Sequence, residues 1–173
     1  GKGGMGTVYR VRHPKYSDEL ALKVLELNEI NDETLVALER FRREAETLGR
    51  LNHPNIVNIY DAGNIGNLSY IALELIEGQN LRQYQSKYCE ISWNQASDWL
   101  LQLSSALEHV HALGLVHRDI KPENIIVDGD KIKLTDFGIV NSCELPKLSK
   151  TGTVLGTPAY MSVEQLNPSR PVD

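Results

Sequence analysis

A polar run near the middle of the chain contains the residue types that bind a divalent cation and move a proton. The run extends from His117 to Asn124 and includes Asp119 and Lys121, and Asp136 follows 17 positions after Asp119. Aspartate and asparagine oxygens are ligands that suit Mg²⁺. Taken one at a time, the two aspartates are equally well explained as turn residues that bond to nearby backbone. A functional interpretation therefore depends on the rest of the chain.

Four glycines within the first six positions form a second candidate site. Glycine lets backbone N–H groups approach a phosphate closely. A dinucleotide-binding loop needs a helix after its glycines, whereas Thr7–Val11 is rich in β-formers. A Walker A loop needs Lys and then Ser or Thr after its last glycine, whereas Thr7 follows Gly6 directly. Two interpretations remain: a glycine-rich hairpin that covers a nucleotide, and an ordinary flexible turn.

Strand-forming stretches dominate the first 75 residues or so. They are rich in β-branched and aromatic residues and are separated by turn signals. Later in the chain, Asp128-Gly129 is a strong hairpin signal. The predicted strands are Thr7–Val11, Leu20–Leu25, Ile56–Tyr60, Leu68–Leu73 (joined to the preceding strand through a Gly63–Asn67 turn), Ile125–Val127 and Lys131–Leu134.

Two stretches have helical periodicity. The first, Glu33–Leu51, has apolar residues every three or four positions and precedes Pro54. The second begins with a capping box formed by Ser92 and Gln95 and ends at Gly114. The apolar residues expected on its buried face are Leu100, Leu103, Leu107, Val110 and Leu113. Strands early and helix late predict an α+β protein with a lobe boundary near Leu75–Gly78.

Composition excludes several classes of protein. The 173 residues have a formal charge of −5 and a pI near 5.6, so no basic field attracts nucleic acid or anionic lipid. Cys89 and Cys143 lie far apart and suggest neither a zinc site nor a disulfide framework. No apolar run approaches a membrane span within this chain. We expect a cytoplasmic setting, with membrane anchoring outside this segment left open.

At the run from His117 to Asn124, followed by Asp136-Phe137-Gly138, the sequence resembles the protein kinase family, in its Ser/Thr branch. The order of the other motifs agrees with the resemblance, which looks most like the bacterial kinases of the eukaryotic type. These motifs are the glycine loop, Ala21-Leu22-Lys23, Phe41-Arg42-Arg43-Glu44 and Gly156-Thr157-Pro158-Ala159-Tyr160-Met161.

The resemblance implies a bilobal protein-kinase-like fold that is truncated. Residues 1–76 would be the small β-rich N-lobe and hinge, lacking the start of the first strand. Residues 77–173 would be the first part of a helical C-lobe, through the activation segment. Val163 departs from the family pattern, because a proline usually stands there.

The resemblance also assigns catalytic and metal-binding roles. Asp119 would accept the proton of the substrate hydroxyl, and Lys121 would contact the γ-phosphate. Lys23 would hold the α- and β-phosphates and pair with Glu44. The metal ligands would be Asn124 and Asp136. A solvated lysine, a charged helix face and two turn aspartates are the alternatives for these residues taken singly.

An ATP site follows from the same resemblance. Adenine would lie between apolar side chains and bond to the backbone of the hinge, and the glycine loop would cover the phosphates. His117 and Phe137 fall where kinases stack a spine of side chains. The implied ATP-binding residues are Gly1, Gly3, Gly4, Gly6, Val8, Ala21, Lys23, Glu74, Ile76 and Ile126.

Regulation through the activation segment is implied as well. Kinases with an arginine at the position of Arg118 commonly use it to hold a phosphorylated loop. Ser149, Thr151 and Thr153 are the candidate phosphosites. Thr157 matches the threonine that often bonds the catalytic aspartate.

The function implied is transfer of the γ-phosphate of ATP to Ser/Thr hydroxyls of proteins, with Mg²⁺ as cofactor and Mn²⁺ as an alternative ion. Autophosphorylation in trans is expected, and nucleic acid is not an expected partner. Two alternatives stay open. One is a pseudokinase or scaffold that binds nucleotide without transfer, and the other is an inactive fragment of a kinase.

Overall fold

The computed structural model describes residues 2–3, 6–16, 18–26, 39, 42–88, 90–137 and 160–162. The chain divides into two compact units between Glu77 and Gly78. Within the described residues, the first unit consists mainly of one sheet, and the second contains two helices and a smaller sheet. Each unit is described by itself below.

Antiparallel pairing organises the first unit. Its five described strands hydrogen-bond so that β3 and β5 are central and β4 lies at one edge. Tyr9 pairs with Leu22, and Leu22 pairs with Ala72, which fixes the register of the three middle strands. In sheet order the strands are β1 (Lys2–Gly3), β2 (Gly6–Arg12), β3 (Glu19–Glu26), β5 (Leu68–Glu74) and β4 (Ile59–Ile65).

Apolar side chains of the sheet, the helix and the segment after the helix form the core of this unit. Helix α1 is described at residue 39 and over residues 42–48. Burying such side chains supplies most of the favourable free energy of a small domain. The buried apolar residues are Leu20, Leu25, Ala45, Leu48, Leu51, Ile56, Val57, Ile71 and Ala72.

Two predicted boundaries in this unit are wrong. Helix α1 ends at Leu48, because the N–H groups of Arg50 and Leu51 bond three residues back, to Thr47 and Leu48, in a tighter turn. The strand predicted over Ile56–Tyr60 begins only at Ile59 and continues to Ile65. The reason is a turn shorter than the one expected: residues 66–67 alone reverse the chain, with Gly66 at φ 60°.

In the second unit, a short helix absent from the predictions begins directly after the first strand. Strand β6 (Gln79–Asn80) leads into helix α2 (Leu81–Lys87). The Asn80 side chain accepts from the Gln83 N–H, and the Gln83 side chain accepts from the Asn80 N–H. This reciprocal pair is a capping box, which fixes where the helix starts.

Helix α3 (Trp93–Ala112) is the longest described element. Ser92 caps it as predicted and accepts from the Gln95 N–H at 3.2 Å, but the Gln95 amide lies 3.5 Å from the Tyr84 hydroxyl instead of reaching back. Gly114 follows the helix at φ 70°. Among the described helices, none is long and apolar enough to span a membrane.

The buried face of α3 differs from the predicted face. Leu100 and Leu113 are 62% and 54% exposed, so their expected burial is wrong. The face that is buried runs through Trp99, Ala106 and Val110. These positions lie one step around the helix from the leucine series, and 3.6-residue periodicity alone does not separate two neighbouring stripes.

A hairpin completes the second unit. A 3-10 turn (Pro122–Asn124) leads into β7 (Ile125–Asp128), and β8 (Lys131–Leu134) returns after a turn in which Gly129 has φ 60°. Strands β6, β7 and β8 form a sheet in that order, and β8 packs against α3. The predicted hairpin at Asp128-Gly129 is confirmed.

Candidate active site

The loop between α3 and the 3-10 turn contains one of two residues in an unusual backbone conformation. Arg118 has φ 63°, and Asp136, after β8, has φ 54°. A left-handed conformation costs a non-glycine residue roughly 1–2 kcal/mol, so it persists where surrounding interactions hold it. Both residues lie at the predicted site: Arg118 directly precedes Asp119, and Asp136 is itself a predicted ligand.

The carboxylate of Asp119 lies between a cation and an amide. Lys121 Nζ is 2.7 Å from Oδ2 and 3.0 Å from Oδ1, and Asn124 Nδ2 donates to Oδ2 at 2.9 Å. The Lys121 and Asp119 side chains are only 14% and 20% exposed. Charge-assisted bonds in such a half-buried place are stronger than at a solvated surface. The three side chains therefore hold the carboxylate in one orientation.

His117 supports the same loop from below and is almost fully buried. Its Nδ1 accepts from the Asp119 N–H at 3.2 Å, so Nε2 carries the proton and donates to the Thr135 carbonyl at 3.0 Å. Burial lowers the pKa of His117, against smaller opposite effects of the Thr135 bond and of Asp119 and Asp136. The ring centroids of His117 and Phe137 lie 4.6 Å apart. The imidazole is thus neutral, in one tautomer.

Thr135 joins the two segments that carry the predicted metal ligands. Its N–H donates to the carbonyl of Asn124 at 2.9 Å, while its own carbonyl accepts from His117. Asn124 also donates from Nδ2 to the Asp119 carbonyl at 2.8 Å. Asn124 therefore precedes β7, and Asp136 follows β8, at the open end of one hairpin.

These residues fit a hard divalent cation. Since Nδ2 of Asn124 bonds to Asp119 twice, the amide oxygen is the atom with which Asn124 would bind a cation. Asp136 would add a carboxylate, and oxygen donors suit Mg²⁺, which commonly takes one or two protein ligands together with phosphate oxygens. In the part of the chain that is described, no three His, Cys, Asp or Glu side chains form a metal site of their own.

In the first unit, three predicted ATP-binding residues share one face of the sheet. Val8 is the cross-strand partner of Lys23, and Ala21 lies two residues before Lys23 on β3. Directly paired residues and residues two apart on a strand project on the same side. A positive charge and two apolar side chains therefore lie together on this face.

The predicted hinge begins where β5 ends. The Glu74 N–H donates to the Asn58 carbonyl at 2.9 Å, and Glu74 Oε2 accepts from the Asn58 N–H at 3.2 Å. Ile76 follows in a half-buried segment without regular secondary structure. The side chain of Glu74 therefore anchors the strand end, so any contact of this residue with a ligand would use its backbone.

The structure also locates other predicted residues. Glu44 is half-buried on α1, Arg118 is exposed, and Ile126 is half-buried on β7, where it pairs with Asn80 and Lys133. Gly3 and Gly6 pair with each other in β1 and β2. Outside the described residues lie Gly1, Gly4, Ser149, Thr151, Thr153, Thr157 and Val163.

Comparison with protein families decides the assignment. A family model described as "Protein kinase domain" matches residues 1–173. The chain belongs to the protein kinase family. The structural comparison below confirms the α+β kinase fold expected from the motifs.

Curated relatives of this kinase domain are bacterial. It is 38% identical over 167 residues to the probable serine/threonine-protein kinase PknB of Lactococcus lactis, and 40% identical over 166 residues to the serine/threonine-protein kinase PrkC of Bacillus subtilis. Each alignment covers 95% of this chain. The chain spans about a quarter of the length of these relatives, 26% and 25% respectively.

Solved kinase structures are similar to the domain as well. The kinase domain of PknI from M. tuberculosis gives a TM-score of 0.69 at 32% identity, over 80% of this chain and 55% of that chain. A structure of Rad53 1–466 in complex with AMP-PNP gives 0.70 at 26% identity, over 80% of this chain and 36% of that chain.

Sequence reasoning missed Thr135 as a member of the site of this kinase domain. Thr135 acts through its backbone N–H and carbonyl, so its side-chain type carries no signal. The direct bonds from Asn124 to Asp119 were also not predicted. A turn of five residues between them is the local signal that could have suggested the contact.

Proposed function

We propose that this kinase domain transfers the γ-phosphate of ATP to Ser/Thr hydroxyls of proteins. The observation that carries the proposal is the Asp119 carboxylate held by Lys121 at 2.7 Å and by Asn124 at 2.9 Å. The arrangement presents a base, a cation and an amide within one turn of chain. The names of the bacterial relatives support the same activity and the choice of Ser/Thr.

Asp119 would orient the substrate hydroxyl and accept its proton as the oxygen attacks phosphorus. A general base must keep its lone pair directed at that proton. The two bonds from Lys121 and Asn124, and the bond from its own N–H to His117, limit how far the carboxylate can turn.

Lys121 would stabilise the negative charge that grows on the transferred group. Its ammonium already lies beside Asp119, so a phosphoryl group near the attacking hydroxyl would be within reach of the same charge. Fixed charges of this kind need no reorganisation during the reaction, which is why they lower the barrier.

Asn124 and Asp136 are the residues we propose as ligands of the cation that accompanies ATP. When bound, a divalent cation neutralises the charge on the phosphates. Asn124 would present its amide oxygen because its nitrogen bonds to Asp119. Mg²⁺ and Mn²⁺ are both bound by oxygen donors, so we expect both to support transfer.

Lys23, Val8 and Ala21 are the residues of the first unit that we propose to hold the nucleotide. Lys23 would pair with the α- and β-phosphates, and the two apolar side chains on the same face would contact adenine. Glu74 and Ile76 would bind adenine through their backbones. The assignments of Glu44, Ile126 and the glycine loop belong to the same proposal.

Protein substrates and regulation complete the proposal. Autophosphorylation in trans at Ser149, Thr151 or Thr153 would bring a charge to Arg118, which is exposed in the catalytic loop. A cytoplasmic setting suits two cysteines without disulfide spacing. Residues 1–76 and 77–173 would correspond to the N-lobe with its hinge and to part of the C-lobe.

A transfer assay tests the activity. The full-length protein is incubated with labelled ATP, Mg²⁺ and peptides that differ only in having Ser, Thr or Tyr as acceptor. We expect label on the Ser and Thr peptides and little on the Tyr peptide. ATP binding without label on any peptide or on the protein would identify a pseudokinase and contradict the proposal. Mass spectrometry of residues 138–162 reports the autophosphorylation sites in the same sample.

A further inference from the structure

The side chain of Gln102 on helix α3 bonds to the backbone at the closed end of the β7–β8 hairpin. Its Nε2 donates to the carbonyl of Asp130 at 2.8 Å, and its Oε1 accepts from the Ile132 N–H at 2.9 Å. Only one orientation of the amide satisfies a donor and an acceptor together. The side chain therefore holds the hairpin at two points that differ in chemistry.

The opposite, open end of this hairpin carries the residues proposed to bind the cation. Asn124 directly precedes β7, and Asp136 lies two residues after β8. The Thr135 N–H closes this end through its bond to Asn124. Four-residue strands span about 10–13 Å, so a small rotation at the closed end moves the open end appreciably.

Apolar packing alone would leave this rotation less constrained. Ile132 and Leu134 of β8 are buried, as are Ala106 and Val110 of α3, and the two elements pack together. The hydrophobic effect is not directional. Hydrogen bonds are directional, so the two bonds of Gln102 fix how the hairpin lies against α3.

We propose that Gln102 is a positioning residue for the cation site of this kinase. By fixing the hairpin on α3, it sets where Asn124 and Asp136 stand relative to Asp119, which follows α3 in the chain. The inference rests on the proposed function, since the two ligand roles are themselves proposed. Mg²⁺ requires near-ideal octahedral geometry, so a small displacement of its ligands weakens binding.

Three variants of the full-length protein test the inference. Gln102→Met removes both hydrogen bonds and keeps the size of the side chain. Gln102→Glu keeps an acceptor for the Ile132 N–H but places a carboxylate against the Asp130 carbonyl. Gln85→Met is the matched control, because Gln85 is exposed on α2.

Amide hydrogen exchange without nucleotide is the first measurement. If Gln102 controls the open end of the hairpin, the Thr135 amide exchanges about tenfold faster in Gln102→Met and is unchanged in Gln85→Met. Faster exchange confined to Ile132, with Thr135 as in the wild type, would overturn the inference.

Cation binding is the second measurement, with Mn²⁺ followed by electron paramagnetic resonance in the presence of AMP-PNP. Residues beyond the direct ligands alter metal affinity by roughly 10-fold or more, so we expect about a tenfold weaker Kd in Gln102→Met. A lower Tm with an unchanged Kd would assign Gln102 a merely structural role and overturn the inference. If Gln102→Met does not fold, Gln102→Glu decides by the same two measurements.

The proposed function and the inference fail in different ways. A wild-type protein that binds no Mn²⁺ with AMP-PNP overturns both. A wild-type protein that binds it, loses affinity in Asn124→Ala and keeps it in Gln102→Met overturns the inference alone.

Discussion

The Nε2 atom of His117 donates a hydrogen bond to the carbonyl of Thr135 at 3.0 Å, across 18 positions of sequence. The opposite nitrogen of the same ring accepts from the Asp119 N–H. One neutral imidazole therefore links the catalytic loop to the residue before Asp136. The proposed base and one proposed metal ligand keep their relative places through this ring.

Substitution of His117 tests the link. His117→Phe keeps a ring against Phe137 but leaves the Asp119 N–H and the Thr135 carbonyl without this partner. We expect a loss of about 2–4 kcal/mol in the free energy of unfolding, the cost of two buried unsatisfied groups. Urea denaturation measures it. His111→Phe, at an exposed position on α3, is the control, and an equal loss in both variants would contradict the account.

The lowered pKa of His117 predicts how stability depends on pH. In the unfolded chain histidine takes up a proton near pH 6.5, whereas burial keeps His117 neutral to lower pH in the folded protein. The unfolded state therefore binds more protons in this window, and stability falls as the pH drops below about 6.5 until the folded pKa is passed. Thermal unfolding between pH 5 and 8 measures the slope. The slope should be smaller in His117→Phe, and an identical slope would show that other groups cause it.

Lys121 should affect the rate more than nucleotide binding. Lys121→Met removes the charge that lies beside Asp119, and loss of one such electrostatic group lowers kcat by about 10²–10³-fold. Steady-state kinetics should show the loss in kcat with the KM for ATP nearly unchanged. Lys131→Met, at an exposed position of β8, should behave like the wild type. A variant that loses only affinity for ATP would remove Lys121 from the proposed role.

Gly78 should not tolerate a side chain. A Cβ at this position would lie 2.4 Å from the carbonyl oxygen of Val127, a backbone atom that cannot turn away. We expect Gly78→Ala to cost about 1–3 kcal/mol and to disturb the pairing of β6 with β7. Thermal unfolding compared with Gln79→Ala, at the next residue, tests this. Wild-type stability in Gly78→Ala would show that the backbone there moves freely.

Local signals predicted the hairpin of the second unit and the beginning of α3. Asp128-Gly129 supplies the positive φ that a tight turn needs, and Ser92 supplies an acceptor for the first turn of the helix. Both features depend on a few neighbouring residues. The motifs of the catalytic loop were visible for the same reason, since they are short and contiguous.

Long-range pairing could not be predicted in this way. The bond from His117 to Thr135 depends on how β8 returns beside the loop, and Thr135 uses only its backbone. Helix α2 has only seven residues and none of them is buried, so it leaves no apolar stripe. Its one signal is the capping box of Asn80 and Gln83, which was overlooked.

The central claim is that Asp119 is the base of a phosphoryl-transfer site. The most direct test measures kcat of the full-length protein, its Asp119→Asn variant and the control Asp98→Asn, at an exposed position of α3. Loss of a general base lowers turnover by about 10²–10⁴-fold, so we predict that decrease for Asp119→Asn, with Asp98→Asn unchanged and ATP still bound by all three proteins. Turnover of Asp119→Asn within a few-fold of the wild type would contradict the account.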